Sequence, residues 1–414
     1  MIATKLRCVN CGNTCDLDLI YSCPDCGDIL DVVYEYERLA GSDVGGSPFP
    51  GMWRYFDLLP LADPSNIVSL GEGGTALLRC RRLGAEIGLN NLYIKNETTN
   101  PTGSFKDRPA CLGVSLAKEA GAGTVVVASS GNGAVAVSAY AARAGMKAIV
   151  FVPETAPNGK LTQSAVFGAQ LIRVRGAYSE SYRAAISVAG KYGLPNLTST
   201  FLNPYLVEAD KTVAYEISES LGGIAPDYVV VPIGAGPLLV GCDKGFRELE
   251  VLGRGKGRPG MIGVQAAGCA PTVAAYQQGL DQVAEWDQTP QTICGGIADP
   301  LRGYSRDGTL TLKIIRETGG VAEAVSDEES IESIKVLART EGIFAEPSGA
   351  VGIGALKQLV AAGEIDPDAV VVCLVTGHGL KDPGAVDILN SLPDAIDADE
   401  VESIDVLGGG QVRG

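Results

Sequence analysis

Short apolar runs that alternate with helical patterns constrain this chain more than any other feature. Runs of strand length stand at Leu92–Lys95, Thr124–Ala128, Ala148–Val152, Gln170–Val174, Tyr228–Pro232, Ile262–Ala266 and Ala369–Val375. Several, such as Tyr228-Val-Val-Val-Pro232, carry no polar alternation, so both faces of the strand must be buried. That is the pattern of a parallel sheet covered by helices on either side. Helical stretches at Ala134–Ala144 and Ser179–Tyr192 supply such covers. The fold class is therefore α/β, doubly wound. At roughly 150 residues per domain, 414 residues exceed a single minimal unit.

Charge and composition exclude several functions. The formal net charge of −16 opposes a phosphate backbone or an anionic bilayer as main partner, so neither nucleic acid nor membrane is expected. No apolar run approaches the roughly 18 residues of a membrane span. The opening Met1-Ile-Ala-Thr-Lys-Leu-Arg-Cys8 has no apolar signal region, which makes a cytoplasmic enzyme the expectation. His378 is the single histidine, so catalysis by a histidine-based triad is disfavoured. Glycine numbers 54, about 13% against a usual share of about 7%, without collagen period; such glycines belong to specific turns.

The 11 cysteines are odd in number and lack a secretory context, so a disulfide framework is not expected. Residues 1–40 read as a small module with a strand at Ile29–Tyr34. Within it Cys8-x-x-Cys11 and Cys23-x-x-Cys26 each place two thiolates one tight turn apart, with Gly12 and Gly27 following so that amides can point at sulfur. Four sulfurs suit a tetrahedral Zn2+ with no open position, hence a structural ion. Free buried cysteines or a redox pair are the alternatives, and Cys15 is a spare thiol. Gly41 to Gly51 reads as a linker, and residues 394–414 as an acidic, solvated tail.

Four segments carry chemistry. Thr124 to Ala136 is a strand, a glycine turn and a helix that match G-x-G-x-x-A, with Glu154 about 20 residues on; alone this suggests a dinucleotide site. Asn100-Pro-Thr-Gly-Ser-Phe-Lys106-Asp-Arg108-Pro109 leads into a helix, where the helix dipole and Arg108 would disfavour the ammonium form of Lys106. A lysine of lowered pKa is a Schiff-base nucleophile; a solvated lysine at a helix start is the bland alternative. Val231 to Leu239 offers amides at Gly234, Ala235, Gly236, Leu238 and Leu239 to a phosphate monoester, with Pro237 donating nothing. Val372 to Asp382 ends a buried strand in Thr376-Gly377-His378-Gly379, against which a flat ring can lie. Together, a lysine for an imine, amides for one phosphate and a hydroxyl at a strand end describe a pyridoxal phosphate site better than a dinucleotide site.

From about Met52 to Pro383 the chain resembles the fold-type II pyridoxal phosphate enzymes, and within them the threonine synthase family. The resemblance rests on Trp53-Arg54-Tyr55, Ser69 to Thr75, Asn100 to Arg108, Asn203-Pro-Tyr205 with Lys211-Thr212 and Glu216, and Thr376-Gly-His-Gly-Leu-Lys-Asp-Pro383. It implies two doubly wound α/β domains and a zinc-ribbon-like N-terminal module. Residues 41–110 and 197–393 would form the large cofactor-binding domain, and 111–196 a small mobile domain. It further implies that Lys106 forms the Schiff base, Asn132 meets the ring 3′ oxygen, Gly234, Ala235, Gly236, Pro237 and Leu238 hold the cofactor phosphate, and Thr376 faces the pyridine nitrogen. Ser129, Ser130, Gly131 and Asn132 would meet the carboxylate of a small amino-acid substrate. The implied reaction converts O-phospho-L-homoserine and water to L-threonine and phosphate, in a homodimer.

The chain departs from that family's pattern where substrate is chosen. Gly133 stands where a threonine is usual, and Leu206 where an arginine grips the substrate phosphate. Lys160, Arg173 or Arg183 are the candidate replacements. The rival readings are a related lyase or β-replacement enzyme acting on serine, threonine or O-phosphoserine, a nicotinamide oxidoreductase built on Gly131 to Ala136, and a ligand-binding homologue without catalysis.

Overall fold

The computed structural model describes residues 2–39, 45–154, 156, 158–176 and 178–382, together with 384, 395 and 397; the side chains of 158–160 are not among them. The expected linker falls partly, and the tail almost wholly, outside the described residues.

Among the described residues, twelve strands fall into three sheets. β1 (Ala3–Cys8), β2 (Thr14–Cys15) and β3 (Leu30–Tyr34) form an antiparallel sheet in the order β2-β1-β3. β4 (Leu77–Arg79), β5 (Asn91–Asn96), β9 (Tyr228–Pro232), β10 (Gly260–Ala266), β11 (Ala322–Val325) and β12 (Val370–Val375) form the main sheet. Its order is β11-β10-β9-β12-β5-β4, parallel throughout except for β4. β6 (Thr124–Ala128), β7 (Lys147–Pro153) and β8 (Gln170–Val174) form a second parallel sheet in the order β6-β7-β8.

The apolar runs behave as their lack of alternation requires. Along β9, Val230 packs into one core while Val229 and Val231 pack into another; along β12, Val371, Cys373 and Val375 take the first side and Val372 and Leu374 the second. Successive side chains point to opposite faces, so a strand buried on both faces must be apolar at every position. The seven expected strands and the one at Ile29–Tyr34 are all present, within two residues at each end. Four were not legible: β1, β2, β4 and β11. β4 is three residues long, and β11 reads Ala-Glu-Ala-Val at the sheet edge, where the apolar signal is diluted.

Two ion-pair clusters lie inside this frame. Arg108, fully buried, bonds Glu97 through Nε (2.8 Å) and Glu216 through Nη1 (2.8 Å) and Nη2 (2.7 Å), while Lys95 bonds Glu216 at 2.6 Å. The second cluster ties the N-terminal module to the body. Lys244 bonds Asp31 (2.7 Å) and Glu208 (2.6 Å), Lys211 bonds Glu208 (2.7 Å) and Glu248 (3.0 Å), and the hydroxyls of Tyr34 and Tyr36 donate to Glu208 and Glu248. Buried charge is tolerated only when paired and hydrogen-bonded, and here each is.

Candidate active site

The carboxyl ends of β6, β9 and β12 converge on one cavity of about 190 Å3. In open parallel sheets ligands bind outside the carboxyl ends of strands, because helix N-termini open there. Lys106, Ser129, Ser130, Gly131, Asn132, Gly234, Ala235, Gly236, Pro237, Leu238 and Thr376 all line it. Residues from four separate segments thus meet in a single space.

Lys106 immediately precedes the helix Asp107–Glu119. Its Nζ lies 4.5 Å from the centre of the Phe105 ring. Burial holds its pKa below the usual lysine range, opposed by the negative charges of Asp210 and Asp299. The direction is the expected one, but the cause is different. Arg108 is turned away into Glu97 and Glu216, and removal of the amine from water does the work.

Across the cavity β6 turns at Ser129 into the helix Asn132–Arg143, whose start has no side-chain cap. Asn132 Nδ2 donates to Glu346 Oε1 at 2.6 Å, which fixes the amide and leaves its second N–H to a ligand. The third wall is the turn after β9. Gly236 has φ +105°, and a Cβ there would fall 2.1 Å from Thr311 Oγ1, so glycine is required. Helix Pro237–Val251 starts at this turn, again without a side-chain cap. Its first amides supply an anion site at the positive end of a helix dipole. Thr376, 5% exposed, closes the cavity at the end of β12.

Sequence reasoning missed Tyr178, Ser199, Thr200, Gly295, Gly296, Asp299, Glu346 and Ser348 as lining residues. The Thr198-Ser199-Thr200 hydroxyl run and the Gly295-Gly296 pair were the available signals. Asp299 carried none; its Oδ1 accepts from Tyr304 (2.7 Å) and the Leu301 amide (3.0 Å), and burial raises its pKa.

Of the candidate phosphate groups, Arg173 and Arg183 are not brought in. Leu206 is core, with Cδ2 2.8 Å from where a Cβ on Gly113 would sit. Arg173 bonds the Glu154 carbonyl and Arg183 pairs with Glu180, both away from the cavity. The Lys160 side chain lies outside the described residues. Among the described lining residues Lys106 is the sole basic one.

In the N-terminal module Cys8, Cys11, Cys23 and Cys26 place their sulfurs within 4.8 Å of one another, with separations of 3.4, 3.5 and 3.6 Å among them. A tetrahedron with metal–sulfur bonds of ~2.3 Å has edges of about 3.8 Å, so the four thiols fit a metal ion. Gly12 and Gly27 close the two turns through their amides on the carbonyls of Cys8 (3.1 Å) and Cys23 (2.9 Å), and backbone amides point at sulfur as expected: that of Asn13 at Cys11, those of Asp25 and Cys26 at Cys23, and that of Asp28 at Cys26.

The family model for pyridoxal-phosphate dependent enzymes matches residues 68–377. A threonine synthase from Methanocaldococcus jannaschii is 41% identical, covering 95% of this chain and 96% of the relative. One from Methanosarcina acetivorans is 38% identical over 95% and 96%. Among solved structures, threonine deaminase isoform 2 from Solanum lycopersicum matches with a TM-score of 0.63 at 22% identity, covering 83% of this chain and 95% of that one. Diaminopropionate ammonia lyase from Escherichia coli matches with 0.66 at 18%, over 80% and 93%. These two likenesses establish the fold. With lysine, glycine turn and strand-end threonine facing one cavity, and with relatives of this identity over nearly the full length, the chain belongs to the pyridoxal-phosphate dependent enzymes and, within them, to the threonine synthase family.

Proposed function

We propose that this protein converts O-phospho-L-homoserine and water to L-threonine and inorganic phosphate, with pyridoxal phosphate as cofactor. The observation that carries the reading is the convergence of Lys106, the Gly234–Leu238 turn, Asn132 and Thr376 on one cavity. The cradle fits the cofactor: Gly236 leaves the space a Cβ would fill, and uncapped helix amides face a phosphate. When bound, pyridoxal phosphate supplies an electron sink for charge developing at the substrate α-carbon.

The chain's residues do the rest. Lys106, with its pKa lowered by burial, would hold the cofactor through its amine, and the same amine is placed to take a proton from the substrate α-carbon. Asn132, fixed by Glu346, and Thr376 would hold the cofactor ring, Thr376 offering it a neutral hydroxyl rather than a carboxylate. A neutral partner suits elimination over transamination. Ser129, Ser130, Gly131 and Asn132 hold the substrate carboxylate. The 111–196 unit, which contains β6 to β8, closes over the cavity as a small domain. The four N-terminal cysteines hold one structural Zn2+. We assign the protein to the cytoplasm as a homodimer, the pairing supported by the exposed Val166, Phe167 and Leu380, which border one groove.

A second reading, a lyase or β-replacement enzyme acting on serine, threonine or O-phosphoserine, is favoured by the lack of an arginine among the described cavity residues. One assay separates them: phosphate and threonine are quantified together from O-phosphohomoserine with cofactor-loaded protein. Equal amounts of both support the synthase. Neither, with the cofactor still bound, transfers the assignment to the second reading.

A further inference from the structure

Gly133 is buried at the start of the helix Asn132–Arg143, and the space beside its Cα is bordered by two hydroxyls from different parts of the chain. A Cβ at Gly133 would lie 3.1 Å from Ser129 Oγ and 3.4 Å from Ser199 Oγ. Ser129 follows β6; Ser199 lies beyond Asn196, which bridges to Val126 of the same strand. Both serines line the cavity, as do Ser130 and Gly131. Of the two acidic residues among the described lining residues, Glu346 is engaged by Asn132 Nδ2 at 2.6 Å, and Asp299 lies beside Gly234 on the wall of the β9 turn. The cofactor phosphate has its own amides at the helix Pro237–Val251. A second anion in the same cavity therefore needs donors elsewhere, and two hydroxyls beside an uncapped helix start provide them.

We propose that Ser199, paired with Ser129 across Gly133, is a specificity-determining residue that binds the α-carboxylate of the amino-acid substrate. Glycine at 133 is then part of the device, since any side chain there crowds both hydroxyls. The inference rests on the pyridoxal phosphate reading of the cavity and is independent of which leaving group the substrate carries.

The test uses cofactor-loaded protein and two probes that differ only in the carboxylate: L-2-aminobutyrate and n-propylamine. Neither carries a leaving group, so neither is consumed under either functional reading. Binding is followed by the change in visible absorbance of the bound cofactor. Ser199→Ala should raise the Kd for L-2-aminobutyrate about tenfold and leave n-propylamine within twofold. Ser199→Thr, which keeps the hydroxyl, should restore tight binding, and Gly133→Ala should reproduce the split by crowding both serines. Equal weakening of both probes, no weakening of either, or no spectral response of the unmodified protein to L-2-aminobutyrate overturns the proposal. A synthase assay without phosphate release, alongside an intact split, rejects the substrate assignment and keeps this one.

Discussion

The hydroxyl of Tyr21 accepts a hydrogen bond from the Asn196 backbone amide at 2.9 Å, so a loop of the cysteine module holds a segment that runs on into the active-site cavity. Thr198 caps this segment's approach to β6, its Oγ1 accepting from the Ala128 amide at 2.9 Å, and Ser199 and Thr200 then line the cavity. Tyr21 lies between Cys11 and Cys23, so ligation of the four sulfurs would fix both ends of its loop. Tyr21→Phe should cost about 1 kcal/mol in stability and speed amide exchange at 196–200. Stripping metal with a chelator should speed exchange at the same amides and leave β10 and β11 unchanged. Exchange that stays constant under both treatments would mean that the module does not support the cavity.

Arg108 joins Glu97 and Glu216 with its whole side chain out of water. Burial alone would raise both carboxylates, yet the guanidinium, with Lys95, holds them below the usual carboxylate range. Removing one partner leaves uncompensated charge in a dry interior, so Arg108→Ala should destabilise the fold by about 3–5 kcal/mol. Chemical denaturation of the cofactor-free protein measures this. A loss under 1 kcal/mol would show that water reaches the cluster.

The sheet core and the glycine turn that lines the cavity were legible because each rests on a local pattern. Tyr228-Val-Val-Val-Pro232 is unbroken apolar sequence, and Gly234-Ala-Gly236-Pro237 is a turn followed by a helix start. What stayed hidden is made by residues far apart in the chain. Glu216 meets Arg108 across 108 positions, and Tyr21 meets Asn196 across 175. The carboxylate pairs of Lys211 and Lys244 are invisible to periodicity because a buried ion pair looks like two solvated charges until both partners are placed. The same limit applied at Lys106, whose lowered pKa was expected from the helix dipole and Arg108 but is caused by burial.

Asp107 titrates against the fold. Burial pushes its pKa up to about 7, with the Thr102 amide at 2.8 Å and the charge of Lys381 opposing, and Glu72 adding to the rise. A carboxyl whose folded pKa exceeds its unfolded value of about 3.9 stabilises the fold most below that value, and the contribution is lost as pH rises toward 7. Asp107→Asn keeps an acceptor for Thr102 and removes the titration. Its stability relative to the unmodified protein should therefore rise by about 3 kcal/mol between pH 5 and pH 8, at roughly 1.4 kcal/mol per pKa unit. Unfolding curves at the two pH values decide; a constant difference would place Asp107 in contact with water.

Leu206 occupies the position where the family pattern has an arginine, yet it is buried against Gly113 and Leu197 rather than facing the cavity. Restoring the arginine should therefore not restore a phosphate grip. Leu206→Arg should instead cost more than about 3 kcal/mol by forcing an unpaired charge into the core, with no gain in affinity for inorganic phosphate. A stable variant that binds phosphate more tightly would show that this helix can rotate toward the site.

Gly236 separates two requirements that a substitution cannot meet together. Its φ of +105° disfavours any residue with a Cβ, and that Cβ would strike Thr311, whose Oγ1 donates to the Ala235 carbonyl at 2.7 Å. Gly236→Ala should shift the turn away from the helix Pro237–Val251 and weaken cofactor retention at least tenfold, seen as loss of visible absorbance on dialysis. Adding Thr311→Ala removes the collision but leaves the backbone strain, so the double variant should recover only part of the affinity. Full recovery would assign the whole effect to the collision, and full retention in the single variant would mean that the phosphate is held elsewhere than at this turn.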